Sequence, residues 1–409
     1  MSSLAVALSP ARAKPCPMER IRRGKALLLI APLFLFLAVT FLLPLGGMLK
    51  LAVDDREVAT LLPRTFEALQ GWDGKALPAP EAFAALAADL DRARQDRTVG
   101  TIGRRLNYDL PGMRNLITST ARKALPAEPV DWQAYMIGLD RAWAETATWA
   151  SIARARGPAT SLYLLTALDL TRDDSGHVVP VAEGQSNYLG IFARTLGIAL
   201  AVTLICLVLA FPVAQLIASA SPTLAASVML LVLLPFWTSV LVRTTAWVVI
   251  LQGDGLANRL LLNLGLISEP LHMLYNRTGV LIALSHVLLP YMILPLCSAM
   301  RAVPPSQMRA AASLGAGPAY AWLRVYLPQL LPGIAAGSLL VFILALGYYI
   351  TPVLIGSPND QLISYYIAFY TSGTINWGLA AALGMILLTA TLLLYRLYVG
   401  LVGAQRIGR

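Results

Sequence analysis

The chain of 409 residues is 57% hydrophobic and only 13% charged, and its mean hydropathy is +0.65. An ordinary soluble domain carries about 25% charged residues, so this composition excludes a wholly soluble protein. The net charge of +10 would suit a nucleic-acid-binding protein, but its distribution does not. Residues 50–187 hold 16 basic and 18 acidic residues, and the basic excess flanks the apolar runs, as in the positive-inside pattern. We therefore expect a lipid bilayer, and no nucleic acid, around this chain.

Six apolar runs are long enough to cross a hydrocarbon core of about 30 Å as helices. They are residues 26–49, 189–218, 225–251, 280–300, 330–350 and 379–402. The apolar part of the first run exceeds that of a signal peptide, so we interpret it as an uncleaved anchor. With the basic N-terminus in the cytoplasm, residues 50–188, 252–277 and 351–377 lie outside and the C-terminus lies inside.

The predicted fold is all-α, with six transmembrane helices and a soluble domain inserted between the first two. Its parts are a basic cytoplasmic tail (1–25), helix 1 (26–49), an extracytoplasmic domain (50–187), a five-helix core (188–402) and a second cytoplasmic tail (403–409). Within the inserted domain, apolar and aromatic residues recur every three to four positions from Trp132 to Ile152. This stripe favours the core of a helical domain, with an aromatic site for a cation as the alternative.

The sequence lacks the usual signatures of catalysis. It has no GxxxxGK[ST] phosphate loop, no HExxH and no Cys/His cluster with metal-ligand spacing. His286 lies inside an apolar run, where a hydrogen-bonded interior role is more common than a ligand role. We predict a protein that is not an enzyme and holds neither metal nor cofactor.

The apolar interior of the six runs also has no Asp or Glu, which proton- and ion-coupled carriers commonly place there. Arginines do enter the runs, at Arg194 and Arg243. A charge at this depth should face protein or a wet cavity. Arg243 is therefore either a structural clamp on backbone carbonyls or part of a translocation path.

The segment 303–328 is too polar and too rich in proline to span the membrane. Ser306 is a candidate N-cap of a short helix, Gly315 permits a left-handed stop, and Pro318 can open a second short helix that Pro328 closes. From the residues alone, this helix–turn–helix is either a plain connecting loop or a docking element.

The same segment resembles the EAA signature of the permeases of ABC importers, EAA-x3-G-x9-I-x-L-P. The matching positions are Arg309, Ala310, Ala311, Gly315, Val325, Leu327 and Pro328. Two positions depart from the signature, because Arg309 replaces its glutamate and Val325 its isoleucine. With Ser306 as cap, Arg309 would be the third helical residue, where an arginine opposes the helix dipole. We therefore expect either an acidic partner surface or weaker coupling.

Three further stretches, at 234–251, 290–296 and 347–358, are similar to the spermidine/putrescine-type permeases. The resemblance covers roughly residues 188–402 and implies a multi-pass protein of the bacterial inner membrane. It also implies that residues 303–328 couple transport to two ATP-binding cassette subunits, with a second permease subunit and an extracytoplasmic solute-binding protein as further partners. ATP would be used by the partner subunits alone. Trp237, Arg243 and Trp247 are candidates for lining the translocation path.

Two other functions stay open at this point. A secondary transporter should show repeated halves and intramembrane ionisable pairs, and neither is visible in the sequence. A membrane receptor would sense a ligand through residues 50–187, but it needs an output domain. Relatives of ordinary length have only a modest loop where this domain is inserted, so the resemblance assigns it no role.

Overall fold

The computed structural model describes residues 28–123, 131–173, 176–182, 184 and 187–407, with side chains up to residue 400. The predicted tail 1–25 lies outside these residues. The chain divides into two compact units, Met1–Lys50 and Leu51–Arg409. In the first, helix α1 (Leu28–Lys50) has a π-helical turn at Ala38–Leu42. Its side chains are apolar on all sides, which suits a helix surrounded by lipid.

The second unit begins with the inserted domain, which is built from short helices and one small hairpin. The helices are α2 (Arg56–Leu61), α3 (Pro63–Ala68), α4 (Pro80–Gln95), α5 (Val99–Asp109), α6 (Met113–Arg122), α7 (Trp132–Leu139), α8 (Thr146–Arg154) and α9 (Leu162–Ala167). The strands β1 (Leu170–Arg172) and β2 (Val178–Pro180) pair antiparallel. The sequence did not indicate this hairpin, because three-residue strands carry almost no periodicity.

Aromatic side chains form the centre of this domain. Trp143 and Trp149 are fully buried, with ring centroids 5.6 Å apart, and Phe83 lies 4.4 Å from Trp149. The indole of Trp143 donates to Thr120 Oγ1 at 3.1 Å, so its buried N–H is satisfied. The core interpretation of the aromatic stripe is confirmed at these two tryptophans. The stripe is not one helix, however, because the chain turns at Asp140 and forms a short 3₁₀ segment.

The remaining helices include the other candidate membrane spans. They are α10 (Tyr188–Ser219), α11 (Pro222–Leu233), α12 (Val240–Leu251), α13 (Leu256–Asn263), α14 (Arg277–Ala302), α15 (Pro305–Ser313), α16 (Pro318–Gly347), α17 (Ile350–Ile355), α18 (Ile363–Ala368) and α19 (Trp377–Ile407). Over the described residues, six helical segments are long and apolar enough to cross a membrane. The predicted all-α fold with six membrane helices is confirmed.

Helices α10, α14 and α16 pack together and form the membrane core. Small residues let them approach closely, since a Cβ atom added at Gly337 would lie 2.8 Å from the sulfur of Met292. Gly333 faces Ala299 in the same way. Close packing through small residues is the usual way in which membrane helices associate.

The prediction of one unbroken helix over 225–251 is wrong. Helix α11 gives way to a 3₁₀ turn at Leu234–Trp237, and α12 starts only at Val240 after Ser239 caps it. Pro235 cannot donate a backbone hydrogen bond, and its ring disfavours continuation of the α-helix. The third candidate span is therefore Val240–Asn263, which includes the turn between α12 and α13.

The inserted domain packs against the ends of three membrane-side helices. Ala52 and Tyr163 share a buried cluster with Phe192 of α10, Ile363 of α18 and Leu383 of α19. The Asp169 carboxylate accepts hydrogen bonds from the first two amides of α10, at 2.8 and 2.9 Å. A carboxylate at this position satisfies free N–H groups and complements the helix dipole. The domain is thus joined to α10 both by apolar contact and by hydrogen bonds.

Candidate functional site

The residues of the EAA resemblance lie in the loop between α14 and α16 and in the first turns of α16. Helix α15 begins at Pro305, and its N-cap is Pro304 without a side-chain cap. The prediction that Ser306 caps this helix is wrong, because proline already suits its first position. Arg309 is therefore the fifth helical residue and not the third, which places it beyond the first turn, where the dipole effect is concentrated.

Helix α15 ends in a Schellman motif. Gly315 has φ of +82°, its N–H donates to Ala312 O, and the N–H of Ala316 donates to Ala311 O, both at 3.0 Å. This pair of hydrogen bonds requires a left-handed residue at the position of Gly315, as the sequence predicted. The chain then reverses and enters the next helix at Pro318.

The second short helix of the prediction does not end at Pro328. It continues from Pro318 to Gly347 as α16, with a π-helical turn at Trp322–Tyr326. Pro328 has no N–H, and in a regular helix its ring would clash with the carbonyl four residues earlier. The wider turn just before Pro328 absorbs this conflict, as π-turns commonly do at a proline.

Three contacts hold the helices on either side of the loop, α14 and α16, against the end of α10. Arg301 Nη2 donates to the carbonyl of Ile217 at 3.1 Å, and the Tyr326 hydroxyl donates to Gln215 Oε1 at 3.0 Å. The ring of Trp322 lies 5.8 Å from that of Phe211. A force applied to α15 would therefore reach both α10 and α16.

The outer side of the loop is exposed and largely apolar. Leu314 is 89% exposed and Tyr320 is 62% exposed, although both are large apolar residues. A shallow groove beside them is lined by Ala311, Leu314, Gly315, Ala316, Gly317, Tyr320 and Val325. Ala310 and Arg309 are exposed, while Leu327 and Pro328 are half-buried. Over the described residues, no carboxylate lies within ion-pair distance of Arg309. An exposed apolar groove of this kind is typical of a contact with another protein.

The candidate path residues lie around the break between α11 and α12. Trp237 is 75% exposed at the end of the 3₁₀ turn. Arg243 and Trp247 lie one turn apart on α12, and Trp247 Nε1 donates to His286 Nδ1 at 3.1 Å. His286 is thus hydrogen-bonded, as expected. Arg243 is half-buried, and its Nε has no hydrogen-bond partner in the described part of the chain.

A different arginine acts as the backbone clamp. Arg194 donates from Nε and Nη2 to the carbonyl of Gln361, at 3.1 and 2.8 Å. The hydroxyl of Thr195 beside it accepts from the N–H of Ile363 at 3.0 Å. Thr244 of α12 and Thr351 of α17 are hydrogen-bonded to each other at 3.2 Å. The sequence does not indicate that these threonines bond across helices, because threonines in apolar helices usually bond to their own backbone.

Comparison with known proteins identifies the family. Residues 208–406 match the family described as binding-protein-dependent transport system inner membrane component. The spermidine/putrescine permease protein PotB of Haemophilus influenzae is 34% identical over 242 residues, covering 57% of this chain and 85% of PotB. PotB of Escherichia coli is 32% identical over 220 residues, covering 52% and 80%.

A third relative is the inner membrane ABC transporter permease protein YdcU of Escherichia coli. It is 39% identical over 188 residues, which cover 42% of this chain and 59% of YdcU. PotB of Haemophilus influenzae, which is 34% identical and covered over 85% of its length, establishes common descent and fold. The chain therefore belongs to the family of inner-membrane permeases of binding-protein-dependent ABC importers, which work with an ATPase and a solute-binding protein.

Proposed function

We propose that this permease imports a polyamine such as spermidine or putrescine. The observation that carries the proposal is the match to two permeases named for these solutes over most of their length. The apolar interior of the spans has no carboxylate, so among the three candidate path residues the exposed ring of Trp237 and the ring of Trp247 are the groups that attract a cation. Rings alone bind a polycation weakly, so selection takes place in the solute-binding protein.

The orientation follows from the basic residues that flank the spans. With both termini in the cytoplasm, the loop that contains α15 also faces the cytoplasm, and the inserted domain faces outward. The exposed groove beside Gly315 then faces the ATPase. Its apolar lining and small residues support a role as the docking site, where a bulky partner side chain can enter.

Transport proceeds by alternating access in an assembly of two ATPases and two permease subunits. Closure of the ATPases on ATP moves α15, and the contacts of Arg301, Tyr326 and Trp322 transmit this movement to α10 and α16. Packed helices move as rigid bodies, so the path opens alternately to either side. Trp237, Arg243 and Trp247 line that path in this proposal.

The test is Gly315→Asn in the complex reconstituted with its cognate ATPase and solute-binding protein. Asparagine tolerates a positive φ, and the space beside Gly315 is open on this chain, so the loop should keep its fold. The new side chain would instead obstruct the ATPase. We expect solute-stimulated ATP hydrolysis to fall by about tenfold or more, as at the centre of an interface.

Gly265→Asn is the matched control. Gly265 also has a positive φ, ends a short helix and has nothing within 4 Å, but it lies on the other side of the membrane in this topology. Normal ATPase stimulation in Gly315→Asn would exclude the groove as the docking site. Uptake of labelled spermidine by the wild-type complex tests the identity of the solute separately. If the complex does not take up spermidine but another solute stimulates its ATPase activity, only the polyamine proposal is overturned.

A further inference from the structure

The loop that contains α15 is positively charged and has no acidic residue of its own. Residues 301–328 include three arginines and no Asp or Glu: Arg301, Arg309 and Arg324. From residue 188 onward the chain has three acidic residues, all in the segments that face outward in the proposed orientation: Asp254, Glu269 and Asp360. The N-terminal tail 1–25 adds one acidic and six basic residues. The side of the membrane on which the loop lies is therefore strongly basic.

Arg309 lies on the exposed side of α15, whereas Met308 and Ala311 are half-buried. An arginine in a helix can pair with a carboxylate three or four positions away. Those positions hold no acidic residue here: Pro305, Ser306, Ala312 and Ser313. Arg309 is also in the middle of this nine-residue helix, so the helix dipole neither favours nor opposes its charge. Neither the helix nor its sequence neighbours balance this charge.

Arg324 is a second exposed arginine near the groove. It lies in the π-helical turn of α16, against which α15 packs, and it makes no ion pair with another described residue. Two residues that line the groove are close neighbours of the arginines in sequence. Ala311 follows Arg309 by two positions, and Val325 follows Arg324 directly. The exposed apolar groove is thus accompanied by positive charge on both helices that form it.

Contact with the ATPase would remove water from this surface, so the arginines would need new partners. A guanidinium that loses its water without gaining an acceptor is costly to bury. Backbone carbonyls accept hydrogen bonds but leave the positive charges of the loop uncompensated. A carboxylate supplies both, and it can accept two parallel hydrogen bonds from one guanidinium.

We propose that the ATPase receives this loop in a cleft with an apolar floor and carboxylates at its rim, and that one of these carboxylates pairs with Arg309. The apolar floor covers Leu314 and Tyr320, which are both exposed. Complementary charge at the rim speeds encounter and disfavours an ATPase whose cleft is basic. This inference rests on the proposed docking of the loop, and it adds the chemistry by which the matching ATPase is selected.

The test measures the dissociation constant between the cognate ATPase and the full permease assembly in lipid nanodiscs. Arg309→Glu should raise this constant at least tenfold, because it replaces an attraction across the interface by a repulsion. Arg309→Lys keeps the charge and should retain most of the affinity. Binding to the wild type should weaken between about 0.1 M and 1 M NaCl, where the screening length falls from about 10 to 3 Å. Arg309→Gln should make this salt dependence smaller.

A charge swap identifies the partner group. Each Asp or Glu of the ATPase cleft is changed in turn to Lys, and one of these changes should restore part of the affinity that Arg309→Glu loses. A double-mutant cycle on the same pair should show a coupling, which independent sites lack. Arg64→Glu is the matched control, because Arg64 is also exposed on a short helix but lies in the inserted domain. It should leave the affinity unchanged.

Unchanged affinity in Arg309→Glu, or the absence of coupling to every acidic residue of the cleft, would overturn the inference and leave Arg309 as a solvated arginine. A loss seen in nanodiscs with phosphatidylglycerol but not in those of phosphatidylcholine would instead assign Arg309 to anionic lipid. Gly315→Asn separates this inference from the docking proposal. If Gly315→Asn weakens ATPase binding and Arg309→Glu does not, only the carboxylate is excluded, whereas no effect of either change would exclude the docking site as well.

Discussion

At the scale of single residues, Gly378 makes a close contact between the inserted domain and the membrane helices. The ring of Tyr163 lies directly over it, and a Cβ atom at this position would overlap the ring. Tyr163 is only 8% exposed, so the ring has little room to move away. The absence of a side chain at Gly378 is therefore what lets the domain pack against the first turn of α19.

We predict that Gly378→Val destabilises the protein by about 1–3 kcal/mol, the usual effect of overpacking. Thermal unfolding of the purified protein measures this loss. Gly384→Val is the control, since Gly384 lies on the same helix with nothing within 4 Å. Tyr163→Ala in the Gly378→Val background should recover part of the loss. Purely additive effects would show that the ring and the glycine do not interact.

Tyr163 also gives a prediction for pH. Burial raises the pKa of its phenol to about 12, from the ordinary value of 10.0, although the nearby Arg105 acts in the opposite direction. The unfolded chain releases this proton near pH 10, whereas the folded chain holds it until about pH 12. The residue's contribution to stability is therefore complete below pH 10 and is lost as the pH rises to about 12.

The ultraviolet absorbance of tyrosinate measures this titration. The difference between wild-type and Tyr163→Phe protein should show one tyrosine ionising near pH 12, together with unfolding. Tyr163→Phe should also lose stability less steeply over the same interval. If the absorbance difference between the two proteins instead titrates near pH 10, the ordinary pKa of tyrosine, Tyr163 is solvated.

At the residue scale, the sequence correctly predicted a feature that depends on backbone conformation alone. It failed where a residue had more than one possible hydrogen-bond partner or role. Gly315 was correctly predicted to be left-handed, because glycine is the usual residue for that conformation. Ser306 was wrongly predicted as a cap, since Pro305 before it was an equally good first residue. The sequence showed Arg194 and Arg243 inside apolar runs, but only the fold shows that Arg194 is the one of this pair bound to a backbone carbonyl.

At the scale of elements, breaks in apolar helices were the main features that the sequence did not reveal. Pro235 ends α11, whereas Pro212, Pro290 and Pro295 lie inside unbroken helices. Neighbouring helices in a membrane can satisfy the backbone groups that a proline leaves free, so proline alone does not predict a break. The decisive difference is tertiary packing, which one sequence does not display.

The π-turn at Trp322–Tyr326 leads to a prediction about α16. Pro328→Ala restores an N–H and removes the ring, so a regular helix becomes possible through this turn. We expect thermal stability to be unchanged or higher, because a helix-breaking residue is removed. Closing the turn would rotate α15 and its groove relative to α16. Solute-stimulated ATP hydrolysis by the complex should therefore decrease.

Pro332→Ala is the control for this prediction. Pro332 lies on the same helix, outside the π-turn. Coupling should survive this change. Equal loss of coupling in both variants, or a clear loss of stability in Pro328→Ala, would show that the π-turn has no special role in positioning the loop.

For the whole molecule, the main surprise is how closely the inserted domain is joined to the membrane helices. Composition marks residues 50–187 as different from the rest, because charge and hydropathy change abruptly at both ends. It could not show that Asp169 caps α10 or that Tyr163 packs on Gly378, since these partners are 19 to 215 residues apart in sequence. Long-range contacts of this kind leave no periodic pattern in one chain.

Orientation in the membrane is the property on which the proposed assembly depends, and surface-exposed positions allow a direct test. Leu314, beside the proposed docking groove, is 89% exposed, and Val178 in the inserted domain is 48% exposed. Cys206 and Cys297 are buried, so a protein with Cys16→Ser should react little with a thiol reagent. Each position can then be changed to cysteine in that background.

We predict that a membrane-impermeant maleimide labels Val178→Cys, and not Leu314→Cys, in right-side-out vesicles. In inside-out vesicles the pattern should reverse, because the proposed orientation, which follows from the basic residues that flank the spans, places the loop in the cytoplasm. Detergent-solubilised protein should label at both positions, which controls for reactivity. The opposite pattern would place the groove beside Gly315 away from ATP, and the ATPase would then have to dock elsewhere on this permease.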